Sequence, residues 1–204
     1  MRSAPFIYLA LNVLVMNAAP APPSQFVTFT DSTMNFTLSY PDDFRSLPPV
    51  EPQLAGCLTI PLRLAGKSER PYERILVHET DYGCLRKNTP EIEPVTKSTE
   101  NDLMKVYGYL ETSEPTKFLL DGHPAAFITA KAEVKWPMKG LEPGMILYGV
   151  QTCVALNSRV VCWNVLTSDR ARLSRLLAGK VAFNGHPSNP WVPTGSRDIL
   201  NVLP

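Results

Sequence analysis

Two runs rich in β-branched and apolar residues flank Asn157-Ser158: Met145 to Leu156, and Val160 to Thr167. Two turn-forming residues between such runs predict a tight hairpin. With Asn157-Ser158 as the loop, Leu156 faces Arg159 and Cys153 faces Cys162. Counting outward, the two cysteines fall at a non-hydrogen-bonded pair, where Cα atoms lie roughly 4.5 Å apart. That separation is just inside the disulfide range of about 4.4–6.8 Å. A cross-strand disulfide is therefore expected, and with it a compartment outside the reducing cytosol.

The same alternation recurs upstream. Gln25 to Thr30 and Met34 to Tyr40 read as strands joined by Asp31-Ser32, with Phe26, Phe29, Phe36, Leu38 and Tyr40 as inward positions. Phe44 and its neighbours read as one helical turn. Cys57 to Leu64 and Arg74 to Thr80 are further strands, joined by the polar stretch Gly66 to Pro71. If those two pair antiparallel, Cys57 and Cys84 meet, so the expected disulfides are Cys57–Cys84 and Cys153–Cys162. Lys117 to Leu120 and Ala125 to Val134 read as strands around the turn Asp121-Gly122-His123-Pro124.

Helical spacing appears twice. Ser98 or Thr99 can cap a helix with acids in its first turn, and Leu103, Val106, Tyr107 and Leu110 follow at helical intervals. This predicts a helix from 98 to about 112, after a surface loop over 85–97. Ser168-Asp169 caps a second helix with Leu173, Leu176 and Leu177 on its apolar face and Gly179 as its C-cap. Val181 to Phe183 then returns to the core. Consecutive strands with one helix in the middle and one near the end argue for an α+β fold, an antiparallel β-sheet with helices packed on it.

Proline changes the picture at the ends. The chain has 20 prolines in 204 residues, about twice the usual share of about 5%. They gather in 20–23, 48–52, 90–94 and 187–193, which read as spacers, loops or tail. Arg2, the apolar run Phe6 to Met16 and the small residues Ala18 to Ala21 read as a signal peptide over 1–21. That run is shorter than the about 20 apolar residues a membrane span needs. A single α+β domain is expected over 22–185, followed by a Pro-rich tail over 186–204, in a secreted or periplasmic protein. Net charge is +1, which leaves no electrostatic footprint for nucleic acid.

The chemical inventory is thin. No C-x-x-C and no H-E-x-x-H occurs, so no metal is expected. No nucleotide-binding glycine motif occurs, and no nucleophile elbow, so no cofactor is expected either. His123 reads as a turn residue and His186 as part of the tail. His78 shares its strand face with Thr80, away from Glu79 and Asp81. A hydrolase built on His123 or His78 is the enzymatic alternative. Tyr107, Tyr109, Trp136, Tyr148 and Trp163 read mainly as core and surface contacts. A small-ligand carrier with an apolar cleft beside Trp136 and Tyr148 is a further alternative. Trp191, alone among prolines, docks either on the domain or on a partner. Trp136 and Trp191 are the candidate partner contacts. Asn35-Phe36-Thr37 is an N-glycosylation sequon.

Three segments carry a resemblance to a known family. Val27 to Asp31 and Met34 to Phe44, with Tyr40-Pro41 before an acidic pair and an aromatic, resemble the opening of PsbP-like domains. Asp121-Gly122-His123-Pro124-Ala125 resembles their central Gly-x-Pro-Ala turn, and Val160 to Phe183 their closing strand and helix. The resemblance spans roughly residues 26 to 185. It implies an α/β/α sandwich around an antiparallel sheet, and a role in protein binding or assembly with no shared catalytic residues. The four cysteines and the Pro-rich tail depart from the family pattern. Together these readings point to a non-enzymatic domain that binds a protein or an envelope component.

Overall fold

The computed structural model of the chain describes residues 25–193, so the expected signal peptide and residues 194–204 lie outside the described residues. In chain order the elements are β1 (Phe26–Asp31), β2 (Phe36–Pro41), β3 (Phe44–Ser46), β4 (Leu58–Gly66), β5 (Glu73–Asp81) and α1 (Ile92–Met104). They continue with β6 (Gly108–Thr112), β7 (Thr116–Leu120), β8 (His123–Val134), β9 (Ile146–Leu156), β10 (Arg159–Thr167), α2 (Arg170–Leu176), β11 (Lys180–Phe183) and β12 (Asn189–Pro190).

The hairpin that the sequence predicts stands at the centre. Leu156 pairs with Arg159 and Cys153 with Cys162. Asn157 takes the left-handed backbone conformation, φ 48°, which asparagine tolerates better than most residues. β10 lies between β5 and β9 in an eight-stranded antiparallel sheet ordered β3-β4-β5-β10-β9-β8-β6, with β7 also paired to β8. A smaller antiparallel sheet has the order β1-β2-β11-β12. Cys57 is disulfide-bonded to Cys84, with Cα atoms 5.6 Å apart. Cys153 is bonded to Cys162, with Cα atoms 4.1 Å apart.

Alternation along the strands sorts the core into two sides. On one face of the large sheet, Ile75, Val77, Val161, Trp163, Val165, Val150 and Val154 pack against Phe36, Leu38, Val181 and Phe183 of the small sheet and Leu173 and Leu176 of α2. On the other face, Ala126, Cys153, Val160 and Cys162 pack against Ile92 of α1. Asp169 caps α2, its side chain accepting from the Ala171 N–H at 3.0 Å. Arg172 then ties α2 to the sheet, donating to Glu73 at 2.8 Å and to Asp43 at 3.1 Å, while Arg175 donates to Asp43 at 2.7 Å.

Several expectations need correction. The architecture is mostly antiparallel sheet with two short helices, richer in strand than an α/β/α sandwich, because a second sheet covers most of one face. α1 begins at Ile92, within the stretch read as a loop. Pro94 falls in the first turn, where a missing N–H costs nothing. The residues from 108 to 112, read as the end of that helix, form β6 against β8. Phe44 opens β3, not a helical turn. Phe26, read as inward, is 39% exposed.

The tail correction has the largest physical consequence. Residues 189 and 190 pair with β11, and Trp191 is buried at 0% exposure. Its indole N–H donates to the Lys180 carbonyl at 3.1 Å, and its own carbonyl accepts from the Thr152 hydroxyl at 3.1 Å. Trp191 is thus packed in the core of the domain, and strand pairing continues past residue 185. Gly179 is required by this packing and not as a left-handed cap: a Cβ there would sit 2.6 Å from the Trp191 ring and 2.4 Å from the Ser39 carbonyl. Trp191→Ala should therefore lower stability by about 3–5 kcal/mol, read as a shift in the urea midpoint. A midpoint equal to wild type would restore the tail reading.

Candidate functional site

β5 presents Arg74, Leu76 and His78 to the face that α1 partly covers, because side chains two apart share a face. Across the ladders, Leu76 lies between Arg63 on β4 and Asn164 on β10, and Arg74 between Ala65 and Leu166. α1 sits over β8 and β9, held there by the Gln151 amide donating to the Thr96 carbonyl at 3.1 Å. Its contacts concentrate on β8 and β9 and leave a strip over β4 and β5 open. The uncovered strip forms a groove of about 410 Å³, walled by the 47–53 segment on one side and Tyr107 on the other. This volume is within the range of small-ligand pockets, about 300–1,000 Å³.

The floor and walls are mainly apolar: Leu47, Val50, Ile60, Leu76 and Leu166. The polar groups are few and held in place. Tyr72 is buried, and its hydroxyl lies 3.3 Å from that of Tyr107. The Arg74 guanidinium stacks over the Tyr72 ring, 4.2 Å from its centroid. Arg63 donates to the Pro48 carbonyl at 2.8 Å, bridging β4 to the 47–53 segment.

The histidines are not brought to catalytic partners. His78 is buried opposite Cys162, and its Nδ1 has no hydrogen-bond partner among the described residues. Burial lowers its pKa from 6.5 to about 4. His123 is the first residue of β8 and borders an open cleft with Glu91, Glu93, Lys117 and Asn157. Its ring sits edge-on to Phe183 at 5.9 Å. Glu93 is ion-paired to Lys117, and the Thr89 hydroxyl is spent on the Asn157 carbonyl. No hydrogen bond among the described residues joins His123 to a carboxylate or a hydroxyl. His186 is exposed. Among the described residues, no three His, Cys, Asp or Glu side chains are grouped to hold a metal ion.

The aromatic residues disperse. Trp163 is core, its ring 5.9 Å from that of Phe36. Tyr148 packs on the α2 side, 6.0 Å from the Arg170 guanidinium. Trp136 is 48% exposed and donates to the Val106 carbonyl at 2.9 Å. The side chain of Tyr109 lies outside the described residues. Neither Trp136 nor Tyr148 lines the groove. The groove uses Tyr72 and Tyr107 instead. Sequence reasoning missed Arg63, Arg74 and Leu76, although an arginine inside an apolar strand was a usable signal. Asn35 is exposed in its turn with φ 50°, and the Thr37 hydroxyl of its sequon donates to the Gly185 carbonyl at 2.9 Å.

No family model matches the chain, and no curated protein matches it significantly. Similar solved structures include cyanobacterial PsbP (CyanoP) from Synechocystis sp. PCC 6803, at 9% identity, 78% coverage of this chain and 90% of that chain, with a TM-score of 0.48. LpqN, involved in cell envelope biogenesis of Mycobacterium tuberculosis, is similar at 17% identity over 74% of this chain and 83% of that chain, with a TM-score of 0.41. The first of these structures is a PsbP protein, of the family that the sequence resembles.

The buried histidine makes a pH prediction. Its folded pKa is depressed, so it contributes stability that is present above 6.5 and lost as pH falls through about 4. The loss approaches about 3 kcal/mol across that window. Glu73 acts in the opposite sense, since burial raises its pKa, so the comparison must be with a variant. His78→Leu removes no hydrogen bond at Nδ1 and should flatten the decline in urea midpoint between those pH values. Parallel curves for the two proteins would mean that His78 is not held neutral.

Proposed function

We propose that this chain is an exported, non-enzymatic binding domain that takes its partner, a protein segment or an envelope component, in the groove over β4, β5 and β10. The observation that carries the reading is the groove itself: an apolar strip of the main sheet left uncovered by α1, with a few fixed polar groups at its rim. Export is supported by the two disulfides and by the signal-like segment over 1–21. No helix of the described residues is long and apolar enough to cross a membrane. Trp136, beside exposed Val106 at the Tyr107 end of the groove, extends the proposed partner surface.

Two measurements test this. After expression with its N-terminus and export route intact, the protein should have lost about 20 residues and should show no mass change on alkylation before reduction. An uncleaved chain with alkylatable thiols would sink the export reading. Nile red, a neutral apolar dye, should bind the wild-type protein and bind Ile60→Gln about tenfold more weakly, with the melting temperature of the half-exposed variant within a few degrees of wild type. No dye binding to the wild-type protein would remove the groove as a site.

A further inference from the structure

The groove carries two cations with no anion. Arg63 donates only to the Pro48 carbonyl and Arg74 only to the Glu73 carbonyl, and neither meets a carboxylate among the described residues. Four arginines elsewhere on the domain find one: Arg70 meets Glu142, Arg159 meets Glu79, and Arg172 and Arg175 meet Asp43. Arg63 faces Leu76 across the ladder and Arg74 stands two residues before Leu76. The two arginines are therefore diagonal neighbours on one face, roughly 7–8 Å apart. Both border the groove, and neither is far from its apolar floor. The Tyr72 and Tyr107 hydroxyls add hydrogen-bonding capacity at the Arg74 end.

Resting on the groove reading, we infer that the ligand is an anionic amphiphile, an acyl chain with one carboxylate or phosphate head. The chain lies along Leu47, Val50, Ile60 and Leu76, and the head is held between Arg63 and Arg74. Guanidinium forks suit planar or tetrahedral oxyanions and form bidentate, charge-assisted hydrogen bonds with them. Stacking on Tyr72 holds the Arg74 fork in place before the ligand arrives, which lowers the ordering cost of binding. A cationic amphiphile is excluded by the same pair, and a neutral one leaves both guanidiniums without an anion.

The test is displacement of Nile red by monomeric laurate, laurate methyl ester and dodecyltrimethylammonium, each below its micelle concentration. Laurate should displace the dye at least tenfold more tightly than the ester, and the cation should be weakest. Arg63→Gln and Arg74→Gln should each bring laurate about tenfold closer to the ester and leave the ester unchanged. Dodecyl phosphate in place of laurate separates the two head groups, and tighter binding of either supports the inference. Equal displacement by laurate and ester, or laurate binding indifferent to both variants, would overturn it. Should the dye bind while laurate shows no preference, the ligand class fails and the groove stands. Should the dye not bind, the groove reading fails first.

Discussion

The register of the β9–β10 hairpin is the constraint from which the rest of the structure follows. β10 is buried along nearly its whole length, and its two faces serve different partners. Val161, Trp163 and Val165 meet the small sheet and α2, while Val160 and Cys162 meet the α1 side. A slip of one residue would exchange the two sets, pushing Trp163 toward α1. The two-residue loop and the Cys153–Cys162 bond define the same pairing independently. β5 is then laid against β10 from Arg159/Asp81 to Thr167/Glu73, which decides that Arg74, Leu76 and His78 share a face.

The uneven covering of that sheet makes the groove. On one side, two strands of the small sheet, α2 and the returning segment through Trp191 fill the whole width of the core. Trp191 closes this side by packing over Gly179 and bonding to Lys180. On the other side the cover is α1 over one part, and a separate cluster in which Tyr72, Tyr107 and Leu141 pack on Ala130, Ala132, Leu147 and Leu166 over another. Thirteen residues of helix span about 20 Å at 1.5 Å per residue, and the helix lies along β8 and β9. Strands β4 and β5 are left to the 47–53 segment, a Pro-rich stretch that cannot supply a helix. The groove is the remainder of an incomplete layer, which is why its floor is rigid sheet and its walls are irregular.

What the sequence makes legible follows the range of the interactions involved. The hairpin, the α2 cap at Asp169 and both cysteine pairs depend on neighbours close in sequence or on one strand pairing, and each can be read from spacing. The boundary between α1 and β6 cannot. Val106, Tyr107 and Leu110 stand at helical intervals, yet β8 offers a ladder from Gly108 to Thr112, and tertiary pairing overrides the local pattern. Trp191 is illegible for the same reason: prolines on either side argue for a tail, and only the docking site at Gly179 and Thr152 argues otherwise. The groove is least legible of all. Its lining comes from the 47–53 segment, β4, β5, Tyr107 and β10, which no local pattern unites.

The two polar centres on the α1 face differ in kind. His78 is the one imidazole deep in that face, and burial keeps it neutral through the physiological range. It is buried opposite Cys162, and its Nδ1 has no hydrogen-bond partner among the described residues. The arginines are different. Long cationic side chains on a sheet are normally neutralised by a neighbour or extended into water. Here Arg74 is held flat on a buried tyrosine and Arg63 is tethered to a carbonyl across the groove. Both are fixed by contacts that leave their charge uncancelled. Fixed positive charge beside a partly exposed apolar floor becomes favourable, on the proposed reading, once an anion with an apolar body arrives. That difference between the empty and filled states is what the proposed binding in the groove draws on.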